Sequence, residues 1–280
     1  MRIGAAGTAR TLPEGHSIMG SAVGKGTPPI LPILLGLCVL LTACDSPGGD
    51  AANATASSPA VITPTTSPAA SPTPSATPSP APVKPRISKA GLAHFLAVAF
   101  DTEYGDDAGV ITMWEKPEVT VRVHGGAAKS RSCVNKVIAD FNALSAATDL
   151  KLTKSAADIE LHFAPVSEFR SIEPKYVSGN DGFLYYHWSD RGALTDANVM
   201  IRSTGISETI RCHLIREELT RAMGMAKDSG KYPNSIFYDE YYPAPTRYSS
   251  LDKEVIRLLY SGAVHPGDDK KTIKRMVTVK

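Results

Sequence analysis

The stretch that most constrains this chain is Ile206 to Met225, ISETIRCHLIREELTRAMGM. At about 100° per residue, Ile206, Ile210, Leu214 and Met225 fall on one arc. Cys212, Ile215, Leu219, Ala222 and Met223 fall on a second arc, roughly opposite. A narrow polar strip of Thr209, His213, Arg216 and Thr220 separates them. A helix apolar on two sides is buried between two layers, so the rest of the fold must supply those layers, and Gly224 is placed to stop it. Glu217 and Arg221 nevertheless lie inside the first apolar arc, with Glu218 at its edge. Charges on a core-facing stripe are costly unless paired or functional, which makes this trio the leading candidate centre.

The chain before Ile87 is too rich in Pro, Ala, Ser and Thr to build a core. An apolar run, Ile30 to Leu41, follows a short segment containing Lys25 and ends in Leu41-Thr42-Ala43-Cys44. This resembles a bacterial lipoprotein signal: a short apolar core, small residues, then the Cys that is acylated. Residues 1–44 are therefore expected to be a signal peptide ending at a lipidated Cys44, with Met19 a plausible start. An ordinary secretory signal or an anchor helix that happens to carry a Cys is the alternative. Residues 45–86 read as a disordered Pro-rich linker, extended and partly polyproline II. That leaves residues 87–280 as one globular domain, long enough for a sizeable core. The expected location is the cell membrane, lipid-anchored, with the domain on the extracytoplasmic side.

The net charge is +2, with no basic block and no interleaving of aromatic and basic residues, so nucleic acid is not an expected partner. Of the four cysteines, at positions 38, 44, 133 and 212, Cys38 leaves with the signal and Cys44 carries lipid. Cys133 and Cys212 remain as an even pair in an oxidising compartment. They are expected to form a disulfide between an early helix and the central one; two buried free thiols are the alternative.

Periodicity fills in the domain. Leu92, Phe95, Leu96 and Phe100 mark a helix over about 88–104, and Val119, Val121 and Val123 a strand over 118–124. A helix over 128–147 buries Val134, Val137, Ile138, Phe141 and Leu144. Short strands follow at 150–153 and 158–163, the second with Glu160 and His162 on one face. Residues 182–188 fit either a strand or a long loop, and 197–202 a strand. Ser249 and Asp252 are spaced to cap a last helix that stops at Gly262, and the basic tail from Pro266 is expected to be loosely held. The order predicts an α+β domain with a mixed sheet packed on the central helix.

Several segments together resemble a known group. They are Phe95 to Phe100 with Glu103-Tyr104-Gly105, Trp114, Cys212, Glu217 to Thr220, Gly224, Ser235-Ile236-Phe237, Ser249 to Asp252 and Leu258-Leu259-Tyr260. In that order and spacing they resemble the metzincin-like superfamily of zinc peptidases and, within it, an uncharacterised bacterial family of lipoproteins. Zinc peptidases carry two His at i and i+4 on a helix with a Glu at i+1. Metzincins add Gly at i+7 and a third His at i+10. On that frame Glu217, Arg221 and Lys227 stand at the ligand positions, Glu218 at the general base and Gly224 at the Gly. Phe237 stands where the Met-turn has its Met.

The frame is present and the ligands are not. Catalytic zinc needs about three N, O or S donors; Arg221 and Lys227 are cations without a lone pair, so no metal cofactor is expected there. A Glu217–Arg221 pair at i, i+4 would fill the same space, the alternative being a direct ligand-binding or catalytic role for the two. His213 and Glu217 share the same spacing and could hold a metal together, although no third ligand is evident. Glu218 is the candidate catalytic residue if one survives. Tyr238, Tyr241 and Tyr242 are candidates for an aromatic wall of the old cleft, packing being the alternative. The expected function is a zinc-less, non-catalytic metzincin-like domain acting in binding or scaffolding in the cell envelope, with an extended peptide or an envelope protein as partner. The alternative is a peptidase-like hydrolase of the same fold that uses Glu218 with a rearranged metal site or none.

Overall fold

Alternating apolar residues mark out the strands, and the helices Ala128–Asn142 and Glu208–Arg221 pack over one face of the sheet, Val166–Ile172 over the other. The computed structural model describes residues 20–25, 84–100, 104–105, 109–240, 242 and 244–280. Residues 20–25, inside the expected signal peptide, form a strand that pairs within the main sheet; the rest of that segment, Cys44 and the linker up to residue 83 lie outside the described residues.

The elements run β1 (Gly20–Lys25), β2 (Arg86–Ile87), α1 (Lys89–Val98), β3 (Tyr104–Gly105), β4 (Glu118–His124), α2 (Ala128–Asn142), β5 (Asp149–Thr153), β6 (Ile159–Ala164), α3 (Val166–Ile172), β7 (Gly182–Trp188), β8 (Leu194–Arg202), α4 (Glu208–Arg221), α5 (Ser250–Leu259), α6 (Lys270–Met276) and β9 (Thr278–Val279). The main sheet has the order β3-β1-β7-β8-β6-β4-β5. Neighbours among β5, β4, β6 and β8 are parallel, β7 runs antiparallel to β8, and β1 is parallel to β7. The fold is therefore α+β with a mixed sheet, as the order of elements predicted. Among the described residues no helix is long and apolar enough to cross a membrane.

One face of the sheet carries the main core. Val119, Val121, Ile159, Leu161, Leu184, Val199 and Ile201 meet Val134, Val137 and Phe141 of α2 and Leu214, Ile215 and Leu219 of α4. The opposite face carries a smaller core, where Phe183 and Met200 lie under Phe169 and Tyr176. The disulfide Cys133–Cys212 joins α2 to α4 with a Cα separation of 5.8 Å.

The central helix has defined ends. Ser207 caps its start by accepting from the Ile210 amide. At its finish Gly224 takes φ +101°, and a Cβ there would lie 2.0 Å from the Thr112 carbonyl oxygen. Trp114 Nε1 donates to Ala222 O at 2.9 Å and Tyr260 OH to Met223 O at 2.8 Å. Carbonyls that a helix end leaves without intrahelical partners are thus answered by side chains. The capping box of α5, between Ser249 and Asp252, forms as expected.

Three expectations need correcting. Helix α1 ends at Val98, not near 104: Phe100 turns inward and packs edge-on against Phe95, ring centroids 6.2 Å apart. Helix α2 ends at Asn142, not 147, because Asn142 turns to bond Leu150 through both its amide groups. On the polar strip of α4, Arg216 meets Asp140 and the Tyr248 ring, and Thr220 shares a 2.7 Å hydrogen bond with Tyr248. The basic tail is ordered. Asp269 caps α6, Ile273 is buried, and β9 pairs with β2 in a separate two-stranded sheet. One apolar residue per turn anchors this segment, so its charge masked it.

Candidate functional site

Helix α4 carries Glu217, Glu218 and Arg221 into the core, where each is 0% exposed. Glu217 Oε1 lies 3.3 Å from Arg221 Nη1, and Glu217 Oε2 lies 3.4 Å from His213 Nε2. Arg221 Nη1 is 3.7 Å from Glu218 Oε1, and Arg221 Nη2 is 2.5 Å from Asp228 Oδ1. One guanidinium thus stands among three carboxylates from α4 and the segment behind it. The planar fork of Arg suits such multiple pairing, and burial makes each partner necessary.

Asp228 was not singled out from the sequence. It is the one acid between Glu218 and Asp239, which is the signal that would have found it: a buried Arg demands carboxylates nearby. Lys227 beside it is half-buried, and its amide donates to Val98 O at 3.2 Å. The ligand frame therefore holds a carboxylate and two cations, one of them already engaged by carboxylates. This donor set does not fit a zinc ion.

The neighbours of the cluster are tightly placed. Gly182 of β7 lies directly over Glu218: a Cβ there would come within 2.9 Å of Glu218 Oε1. His213 bonds through Nδ1 to Pro245 O at 2.8 Å. Burial, aided by the Arg221 charge, pushes the His213 imidazole down to about 4, against the pull of the Pro245 carbonyl and Asp252. Behind α4, Ser235 Oγ donates to Asp252 Oδ1 at 2.6 Å and meets His94 Nε2 at 3.1 Å, and the Phe237 amide donates to Ser235 Oγ. These three side chains are buried. They tie the Ser-Ile-Phe turn to α5 and α1. Because the Ser235 proton is held by Asp252, this is not the arrangement of an activated nucleophile.

The tyrosines differ in setting. Tyr238 is half-buried, Tyr242 is 63% exposed and Tyr241 lies outside the described residues. Tyr248, not among the expected wall, is the tyrosine that packs against α4.

A second polar grouping lies on the opposite face of the sheet. Arg122 pairs across β4 and β6 with Glu160, and His124 with His162. Arg122 Nε donates to Glu160 Oε2 at 2.7 Å, and His124 Nε2 lies 2.6 Å from the same oxygen. The two imidazoles stack, with centroids 4.3 Å apart and planes 4° from parallel. Burial and then the neighbouring His124 push His162 down to about 4. A cleft of about 470 Å³ opens beside His124, lined by Arg122, Arg131, Leu152 and Lys154 among others. The alternation of β6 had placed Glu160 and His162 on one face; their partners on β4 needed the strand register.

No curated protein matches the chain in sequence. Two solved structures of myroilysin are similar to it at 13% identity with a TM-score of 0.36. Each match covers 53% of this chain, and 86% or 95% of the other. Residues 89–279, α1 through β9, match one family model throughout, and the chain belongs to the family described as Protein of unknown function (DUF2927).

Proposed function

We propose that this protein is a lipid-anchored extracytoplasmic protein with a zinc-less, non-catalytic metzincin-like domain, which acts in binding or scaffolding in the cell envelope. The observation that carries the reading is the burial of the Glu217–Arg221–Asp228 cluster. It occupies the helix positions where a zinc peptidase would hold its metal and water. A carboxylate acting without a Lewis acid leaves water at its high pKa, and Glu218 is covered by the described residues, at 0% exposure. The burial therefore favours this reading over a hydrolase acting through Glu218. The binding role and its partner, an extended peptide or another envelope component, rest on fold-level analogy.

Two measurements test it on the full chain. Peptide mixtures incubated with the zinc-loaded protein should stay intact; cleavage that disappears in Glu218→Gln would overturn the non-catalytic reading. Mass spectrometry of protein from membranes of the producing cell should find a diacylglyceryl group on Cys44 at the mature N-terminus. An unmodified Cys44 would remove the anchor.

A further inference from the structure

We propose that His124, Glu160 and His162 form a binding site for a first-row divalent transition metal, zinc or copper, on the sheet face turned away from α4. The site is separate from the central helix and does not depend on the function proposed above.

The three side chains each offer one donor atom, and all three donors lie within 4.8 Å of one another. In a tetrahedral zinc site with bonds of about 2.0–2.1 Å, donors stand roughly 3.3 Å apart. Small side-chain rotations therefore close the set without moving the backbone. The strand register supplies the rest: His124 and His162 are directly opposed on parallel neighbours, with Glu160 two residues before His162. Both strands are held in the middle of the sheet, so the geometry is set by backbone pairing. A site on paired strands is more precise than one on a loop.

The donor chemistry selects the ion. Two imidazoles and one carboxylate suit zinc, copper, nickel or iron, whereas calcium and magnesium take oxygen donors. Three protein donors leave a position for water or a ligand, and one of the three, His124, also lines a cleft. Glu160 is already oriented, since its second oxygen accepts from the Ala157 amide at 3.1 Å. Such outer contacts tune a metal site.

Arg122 is the competitor. Its guanidinium holds the Glu160 oxygen that also faces His124, so metal entry requires Arg122 to swing toward the cleft it lines. The site is thus expected to bind its ion reversibly rather than as a permanent structural ion.

The test uses the untagged full chain, stripped with chelator and titrated with zinc by calorimetry. One zinc per chain is expected, with His124→Gln and His162→Gln each weakening it by about tenfold or more. Arg122→Gln should tighten binding. Glu217→Gln should leave it unchanged, which separates this site from any metal at the central helix. Copper(II) resonance on the unaltered protein checks the ligands without relying on the folding of a variant: splitting from two nitrogen donors is expected. Absence of zinc uptake, uptake insensitive to both His variants, or a copper signal with oxygen donors alone would each overturn the proposal.

Discussion

Arg221 reaches Asp228 at 2.5 Å across the end of α4, while its other terminal nitrogen stands 3.3 Å from Glu217. These buried charges answer one another, and removing one member takes a partner from each of its neighbours. Arg221→Ala should cost about 3–5 kcal/mol in chemical unfolding. Combining Arg221→Ala with Glu217→Ala should cost less than the sum of the two single losses, because each single change leaves the other charge buried without this partner. Additive losses would show that the two residues act independently.

The Cys133–Cys212 bridge closes a loop over a sequence separation of 79 residues. Reduction, or Cys133→Ser, should lower stability by about 4 kcal/mol on the chain-entropy account. Unfolding in denaturant with and without reductant measures it.

Gly224→Ala should be among the most damaging conservative changes. The residue sits at φ +101°, and the added methyl would overlap the Thr112 carbonyl. A loss of about 3 kcal/mol or more is expected, visible as a drop in Tm. A tolerated Gly224→Ala would mean that the helix end shifts readily.

Acid should destabilise the fold through His213. Its folded pKa of about 4 lies below the ordinary value of 6.5, so the unfolded chain binds this proton first. The contribution is fully present above about pH 6.5 and is lost as pH falls toward 4, up to about 3 kcal/mol. The groups facing it are Glu217, Arg221, Asp252 and the Pro245 carbonyl. Thermal unfolding across this range should be flatter in His213→Gln.

Ser235→Ala removes the acceptor and donor that join His94, Asp252 and the Phe237 amide. With those buried groups left short of partners, about 1–3 kcal/mol should be lost. A change within error would mean that the three elements are held by apolar packing alone.

Much of this fold was legible because its helices and strands bury regular stripes. Val119, Val121 and Val123 marked β4, and the two arcs of α4 required layers on both sides. The i, i+4 spacing of Glu217 and Arg221 also announced that a buried charge needs an answer. What stayed hidden depends on register and long-range contact. His124 meets His162 because two strands pair with a particular offset, which neither strand encodes alone. Trp114 and Tyr260 finish α4 from distant segments, and Ile273 anchors a tail whose lysines suggested solvent. Asp228 was hidden for a related reason: its partner is one helical turn and a bend away.

The β2–β9 pair has one further consequence. Thr278 and Lys280 bond through their amides to Pro85 O and Ile87 O, and Lys84 reaches Arg275 O. Residues 84–87 and the C-terminal segment therefore lie side by side, so the stretch from Lys84 to Lys280 is nearly a closed loop. A few added residues joining Lys280 to Lys84 would complete it. New ends opened at the exposed Ser155-Ala156 turn would then keep the contacts made within residues 84–280, though not the pairing of β1 with β7, so the order in which that stretch is synthesised is separable from the structure it reaches.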